Sequence, residues 1–382
     1  MTPSFIEASD VSGGKGFASE ILRCIIKFDD SPNDSYTTIL KIPGFESLKE
    51  ATTKNGGDST WFDSDENMNN LNSVHEFECN FYNNLAPILD VPVPKVFKTV
   101  LKSPENIEGC LHMEDLTLRG KTLTLYDNIN ITQVKHLIRL LAHMHMNILC
   151  IDEKEWHGKY LKNQTTMATV MDMLKPMTES FLKKCKNSDR FKPLLDRCQK
   201  MSESKEFLLH LLTENYKSAK PVIEHGDLHP GNIMWSIDEN GDVQNSVAAF
   251  VDWQTIHEGS PMSDLSRILT FCCDGGTRRQ IEGYAIQFYL ECLTKEFGGD
   301  ASKVPYTAEG LQRAYNMAFI MQAFMTPAGM AFMYEIFDDK IYPESVKDCL
   351  WDEGELKALH ALEDADRLLQ NELKDVFQKY GI

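Results

Sequence analysis

The sequence predicts an α+β chain built in two lobes, a small β-rich lobe over residues 1–115 and a large, mainly helical lobe over residues 116–382. Three observations carry that expectation. Short β-prone runs separated by turn chemistry occupy the N-terminal part, helical periodicity dominates after Thr132, and one apolar hairpin interrupts the helical part between Asn232 and Asp252.

The elements follow in order. Residues 21–28 and 37–43 read as strands joined by a polar turn at 29–35, and the run Gly13-Gly14-Lys15-Gly16-Phe17-Ala18-Ser19 ahead of them reads as a glycine loop. Glycines let backbone N–H groups approach phosphates, although this loop does not match G-x-G-x-x-G. Residues 55–72, rich in Asn, Asp and Gly, read as an exposed loop, and residues 74–85 have apolar positions at helical spacing. Pro92 and Pro94 end that helix and lead into a strand at 95–100. Residues 111–116 read either as an ordinary strand end or as a hinge. From Thr132 an amphipathic helix runs through Val134, Leu137, Leu140, Leu141 and Met144, capped near Asn130 or Thr132, with His143 and His145 as satisfied polar positions. Residues 163–220 are largely helical, and the basic patch at Lys183, Lys184, Lys186 and Arg190 reads as a solvated helix face. Residues 317–334 approach the length of a membrane span, but Gln322, Thr326, Pro327 and Gly329 divide them into two short buried helices. A closing helix over 353–380 puts Leu356, Leu359, Leu362, Leu369, Leu373 and Phe377 on one face, against the large lobe.

Composition narrows the function classes. A formal net charge of -18 argues against a nucleic-acid partner, because phosphate backbones demand a basic surface. Ten cysteines without a CxxC pair fit reduced thiols better than a disulfide framework, and the first sixteen residues lack the basic and apolar regions of a signal peptide. The expected location is the cytoplasm, and the sequons at Asn33, Asn130 and Asn163 then read as chance matches. Nothing in the sequence sets the oligomeric state.

The chemistry concentrates in Glu224-His225-Gly226-Asp227-Leu228-His229-Pro230-Gly231-Asn232 and in Ala249-Phe250-Val251-Asp252-Trp253, whose Asp252 stands twenty positions after Asn232. The apolar run 233–237, the Asn240-Gly241 step and the apolar run 247–251 make a hairpin that Asn232 enters and Asp252 leaves. Their side chains can therefore meet beside the loop that carries Asp227. Magnesium favours oxygen ligands and is usually held by one or two protein groups plus substrate phosphates, which Asn232 and Asp252 can supply. Asp227 can then accept the proton of an attacking hydroxyl. His225 and His229 at i and i+4 would suggest zinc on a helix, but Pro230-Gly231 breaks a helix there.

These two segments together resemble the phosphotransferase motif of the aminoglycoside phosphotransferase and choline kinase-like superfamily, which has a protein-kinase-like fold. Within it the chain most resembles the animal ecdysteroid-kinase-like group. The resemblance covers nearly the whole chain, with its specific motifs between Asp227 and Asp264. It implies Asp227 as catalytic base and Asn232 and Asp252 as metal ligands. Asp264, opening a buried helix, would brace the catalytic loop together with His225. It further implies a nucleotide site of Gly14, Lys15, Gly16, Phe17 and Ser19 in the glycine loop, Lys41 on the α and β phosphates, and Glu78 fixing the lysine, with Glu76 a rival. Met113, Glu114 and Leu116 would form the hinge that meets adenine.

The implied activity is ATP-dependent, magnesium-assisted phosphoryl transfer to the hydroxyl of a small-molecule alcohol, sterol-like, choline-like or related. A protein kinase fits less well: Gly226 stands where that family has arginine, Asp252 is followed by Trp-Gln, and few residues separate Asp252 from the helix near Ser263. A non-catalytic nucleotide-binding module is the other alternative. The apolar side chains of residues 317–333, among them Met317, Met321, Phe324, Met325 and Met330, either line a hydrophobic acceptor site or fill the core.

Overall fold

The computed structural model describes residues 3–11, 19–46, 49, 53, 64–102, 109–161, 176–218, 220–335 and 342–382. Its N-terminal region is an antiparallel sheet of β1 (Pro3–Asp10), β2 (Ser19–Phe28), β3 (Ser31–Pro43), β4 (Val96–Val100) and β5 (Cys110–Glu114), in the order β1-β2-β3-β5-β4. Along β3, Ile39 and Lys41 are two apart and both buried, so the strand's alternation delivers a lysine to the covered side of the sheet. The reversal before β3 takes only Asp29 and Asp30, and the polar residues expected in a longer turn are already strand. Two residues suffice to turn an antiparallel pair.

Helix α1 (Asp65–Asn80) continues through a π-helical turn at Phe81–Leu85 and a last turn at Ala86–Leu89, which ends on Asp90 at φ 50°. Residues 65–72, expected in a loop, are thus helical. Their polar composition is no obstacle, because the buried positions Leu71, His75, Glu78, Cys79 and Tyr82 recur at helical spacing and seat one face on the sheet and hairpin. Residues 55–63 of the expected loop lie outside the described residues.

The C-terminal region opens with β6 (Gly120–Lys121) and α2 (Ile131–Leu149). Asn130 caps α2: its side chain accepts from Gln133 N at 2.9 Å and Gln133 Oε1 accepts from Asn130 N at 2.9 Å. After α3 (Ser188–Ser202) and α4 (Lys205–Ser218) come β7 (Val222–Glu224), β8 (Ile233–Ile237), β9 (Val243–Phe250) and β10 (His257–Gly259). Strands β6, β8 and β9 form one small sheet, and β7 pairs with β10. The remainder is helical: α5 (Ser263–Cys272), α6 (Gly275–Glu282), α7 (Ala285–Glu296), α8 (Ala308–Glu335), α9 (Glu344–Gln370) and α10 (Lys374–Tyr380).

Three expectations change here. Pro327 does not split residues 317–334; α8 is one helix with the proline inside it. Proline removes one backbone donor, and packing all round the helix outweighs that loss: 83% of its most apolar window is buried. By length and composition alone α8 could cross a membrane. The basic patch is only partly a solvated face, since Lys186 and Arg190 pair with Asp352 and Glu363 of α9 and Lys184 lies 3.4 Å above the Tyr334 ring. Leu356 is exposed, while Leu359, Leu362, Leu369 and Leu373 are buried as expected. A buried lysine, Lys357, ties α9 to the core by donating to the carbonyls of Leu125 (2.8 Å), Phe271 (3.1 Å) and Asp127 (3.3 Å).

Candidate functional site

Lys41 reaches from β3 to α1 and to the end of the hairpin. Its Nζ donates to Glu78 Oε1 at 2.9 Å and Oε2 at 2.7 Å, and to Asp252 Oδ1 at 2.5 Å. Three donors meet three acceptors in a site where the lysine side chain is 8% exposed and the glutamate 2%. Burial opposes the charge on Lys41, but Asp252 and Glu78 outweigh it and hold the amine well above its usual range. Glu76, one position off the buried stripe, is exposed and takes no part in this cluster.

The hairpin strands β8 and β9 bring Asn232 and Asp252 together by backbone pairing. Ile233 faces Phe250, and Val251 N donates to Asn232 O at 3.0 Å. Asp252 then turns left-handed, φ 67° and ψ 60°, a conformation that costs a non-glycine residue about 1–2 kcal/mol and that aspartate tolerates better than most. What holds it is the next residue. Trp253 is buried, stacks on Phe81 of the π-helical turn at 3.9 Å and 10°, and donates from Nε1 to Phe250 O. That face-to-face contact, worth roughly 0.5–1.5 kcal/mol beyond burial, joins the hairpin to the helix that carries Glu78.

The loop before the hairpin is braced from α5. Asp264 accepts from His225 N at 2.8 Å and Gly226 N at 3.0 Å, while His225 Nε2 contacts Val251 O at 2.9 Å and its Nδ1 accepts from Asp227 N at 3.3 Å. Gly226 has φ 82°, and a Cβ there would lie 2.6 Å from Thr255 O, so both backbone angle and space require glycine. His229 turns its Nδ1 onto Gly231 N in the short 3₁₀ turn Pro230–Asn232, so both motif histidines are engaged by backbone.

Asp227 sits between two partners. Asn232 Nδ2 donates to its carbonyl at 2.9 Å and stands 3.5 Å from Oδ2, and Arg267 Nη2 pairs with Oδ1. Burial works against ionisation of Asp227, but the Arg267 guanidinium outweighs it and keeps the carboxyl below the usual carboxylate range. Behind the loop, burial and the charge of Asp264 push the Glu224 carboxyl well above that range. A cavity of about 30 Å³, bordered by Glu224, His257, Arg267, Met321 and Gln322, has room for about one or two waters.

Of the residues expected at the site, Lys41, Glu78 and Asp252 form one contacting group and Asp227, Asn232, His225 and Asp264 another, and Val251, next to Asp252, bonds to both Asn232 and His225. Ser19 is buried where β2 begins, opposite Pro43, and Gly14, Lys15, Gly16 and Phe17 lie outside the described residues. At the expected hinge the Met113 carbonyl accepts from Thr38 Oγ1, Glu114 N donates to Lys95 O and the Leu116 carbonyl accepts from Arg119 N, so these backbone groups already serve the fold. The methionines and Phe324 of α8 are largely in the core, with Met321 alone among them reaching the cavity. Arg267 and Phe81 were not singled out from sequence. Arg267 lies three residues after Asp264 on one helix, a spacing that places both on the same face.

A lysine on the sheet, its glutamate on the following helix, then a loop aspartate and a hairpin aspartate are carried on an α+β fold with a β-sheet N-terminal region and a mainly helical C-terminal region. The chain belongs to the family described as DUF1679, "Uncharacterized oxidoreductase dhs-27", whose model matches residues 6–371. Uncharacterized oxidoreductase dhs-27 of Caenorhabditis elegans is 25% identical over 327 residues, 84% of this chain, and the chain spans 39% of that relative's length. Among solved structures the chain is similar to the GDP complex of wild-type aminoglycoside 2'-phosphotransferase-IIIa (13% identity, 96% of this chain and 94% of that one, TM-score 0.45). It is also similar to ADP-bound aminoglycoside phosphotransferase APH(2'')-Ib (15% identity, 94% and 95%, TM-score 0.40).

Proposed function

We propose that this chain transfers the γ-phosphoryl group of ATP to a hydroxyl of a small-molecule acceptor. The observation that carries the reading is the meeting, from separate elements, of Lys41 and Glu78 with Asp252, and the backbone bond by which Val251, the residue before Asp252, ties that strand end to Asn232 in the loop that presents Asp227. Asp252 holds a left-handed backbone that a structural ion pair seldom needs, and the loop glycine Gly226, at φ 82°, packs against Thr255 of the same turn; strained positions of the Asp252 kind cluster where chemistry is done.

The donor set fits a magnesium ion. Asn232 uses its Nδ2 toward Asp227, so its amide oxygen and the Asp252 carboxylate would be the groups to hold the ion, oxygens of the kind magnesium takes together with phosphates. When bound, the ion supplies charge neutralisation on the phosphates. Lys41, fixed by Glu78, holds the phosphate chain in place and stays charged at any physiological pH. Asp227 orients the acceptor hydroxyl and takes its proton late, because the loose transition state of phosphoryl transfer asks little of a base before the phosphorus–oxygen bond forms. A carboxylate held below its usual range suits that orienting role.

The acceptor class is narrowed by Arg267. With its guanidinium on Asp227, where the acceptor hydroxyl would sit, an acceptor carrying an ammonium group next to that hydroxyl would meet a cation. An uncharged alcohol fits better than choline or an aminoglycoside, in keeping with the resemblance to the ecdysteroid-kinase-like group. The curated relative is named an oxidoreductase, but the dinucleotide fingerprint G-x-G-x-x-G does not occur in this sequence.

The test is a panel of neutral, cationic and anionic alcohols with magnesium-ATP, assayed for phosphorylated product by mass spectrometry. Wild type is expected to phosphorylate a neutral alcohol. Asp227→Ala is expected to bind ATP and form no product. ATP binding by wild type without turnover on any acceptor or on water would leave a nucleotide-binding module instead.

A further inference from the structure

The geometry points to Arg267 as the positioning residue that selects which oxygen of Asp227 meets the acceptor, and to Gln322 of α8 as the residue that holds Arg267 in place. The inference rests on the phosphotransferase reading above and adds a part to it.

Arg267 is more than nine-tenths buried, yet its guanidinium is drawn toward the loop: Nη2 pairs with Asp227 Oδ1, Nη1 donates to Gln322 Oε1 at 3.0 Å and stands 3.9 Å from Met325 Sδ. The plane lies over the Phe271 ring, 5.0 Å from its centroid. A planar fork fixed at both nitrogens and stacked below allows little rotation, so the carboxylate it grips is fixed as well. Oδ1 is consumed by the arginine. Among the described residues Oδ2 has only the longer contacts to Asn232 Nδ2 at 3.5 Å and His229 Nε2 at 3.7 Å, and it is the oxygen left for an incoming hydroxyl. A lysine at this position would keep the charge and lose the fork, and a methionine would keep the length and lose both.

Because a misplacement near 1 Å at a reacting group costs roughly a hundredfold in rate, loss of the grip acts on turnover and not on nucleotide binding. The experiment measures kcat and KM for magnesium-ATP with water as acceptor, and with any alcohol that the panel yields, in wild type, Arg267→Met, Arg267→Lys and Gln322→Leu. Expected are a kcat lower by about 10- to 100-fold in Arg267→Met with KM for ATP within about twofold, partial recovery in Arg267→Lys, and a smaller fall of the same kind in Gln322→Leu. A kcat for Arg267→Met within about twofold of wild type, or a loss confined to KM, overturns the role. Should Arg267→Met fail to fold, Arg267→Lys and Gln322→Leu carry the same test: unchanged kcat in both overturns it. A double-mutant cycle in thermal unfolding between Asp227→Asn and Gln322→Leu separates the two layers. Coupling there with a wild type that turns over no ATP overturns the phosphotransferase reading and, with it, the role given to Arg267. An active wild type with unaffected variants overturns the positioning role alone.

Discussion

Replacing Glu78 by alanine removes two of the three acceptors around Lys41 Nζ and leaves a buried ammonium with Asp252 alone. Breaking a buried pair by deleting one partner costs about 3–5 kcal/mol, because the remaining charge stays desolvated. Here the lower end applies, since Asp252 remains and its side chain is 30% exposed, so water can share the screening. At about 2.1 cal/mol/K per residue, 382 residues give an unfolding entropy near 0.8 kcal/mol/K, and a 3 kcal/mol loss lowers the melting temperature by about 4 °C. The assay is scanning calorimetry of Glu78→Ala beside Glu76→Ala, with magnesium-ATP titrated into both. Glu76 is exposed, and its replacement is expected to change stability by no more than about 0.5 kcal/mol. Glu78→Ala is also expected to bind ATP about tenfold more weakly, the equivalent of roughly 1.4 kcal/mol of lost positioning of Lys41. Equal behaviour of the two variants would refute the assignment of Glu78 as the partner of the lysine.

Three further outcomes follow from the geometry. Gly226→Ala is expected to lose about 1–2 kcal/mol from the left-handed angle alone, and more from the clash with Thr255 O; a calorimetric loss under about 0.5 kcal/mol would show that the loop relaxes freely. His143 lies 2.8 Å from Glu296 and 3.0 Å from Asp90, and although burial lowers its pKa these two carboxylates outweigh that and raise it above 6.5. Its stabilisation is then complete below about pH 6.5 and lost as pH rises through the raised value, so the gap in melting temperature between wild type and His143→Gln should shrink from about pH 6 to about pH 8, and a widening gap would contradict the pairing. Lys357→Met leaves three core carbonyls without their shared donor and is expected to destabilise by roughly 1.5–3 kcal/mol; a neutral or stabilising effect in denaturant titration would mean that the carbonyls find other donors.

Much of the site was legible because it is local. Asn232 and Asp252 flank one hairpin whose alternation and Asn240-Gly241 turn are visible in the chain, and the first turn of α5 carries Asp264 within a stretch already read as a helix start. The lysine is legible too, as a charge on an apolar strand. Choosing Glu78 over Glu76 was not, because both lie in the same helical stretch and which face turns inward depends on what the helix packs against. The loop expected at residues 65–72 failed for the same reason: its composition is that of a loop, and only contact with the sheet and the hairpin makes it the start of α1. Pro327 shows the converse. A local rule predicts a break, and burial on every side overrides it.

By itself the sequence determined the candidate residues: a sheet lysine, a loop aspartate and an Asn–Asp hairpin, in the order on which the proposed phosphoryl transfer rests. These depend on residue type and short-range spacing, which a linear reading sees. Tertiary structure alone decided that Trp253 stacks on Phe81 and that Arg267 grips one oxygen of Asp227 while Gln322, 55 positions further on, holds the arginine. Contacts across such separations are set by how helices and hairpin close on one another, and no spacing along the chain encodes them.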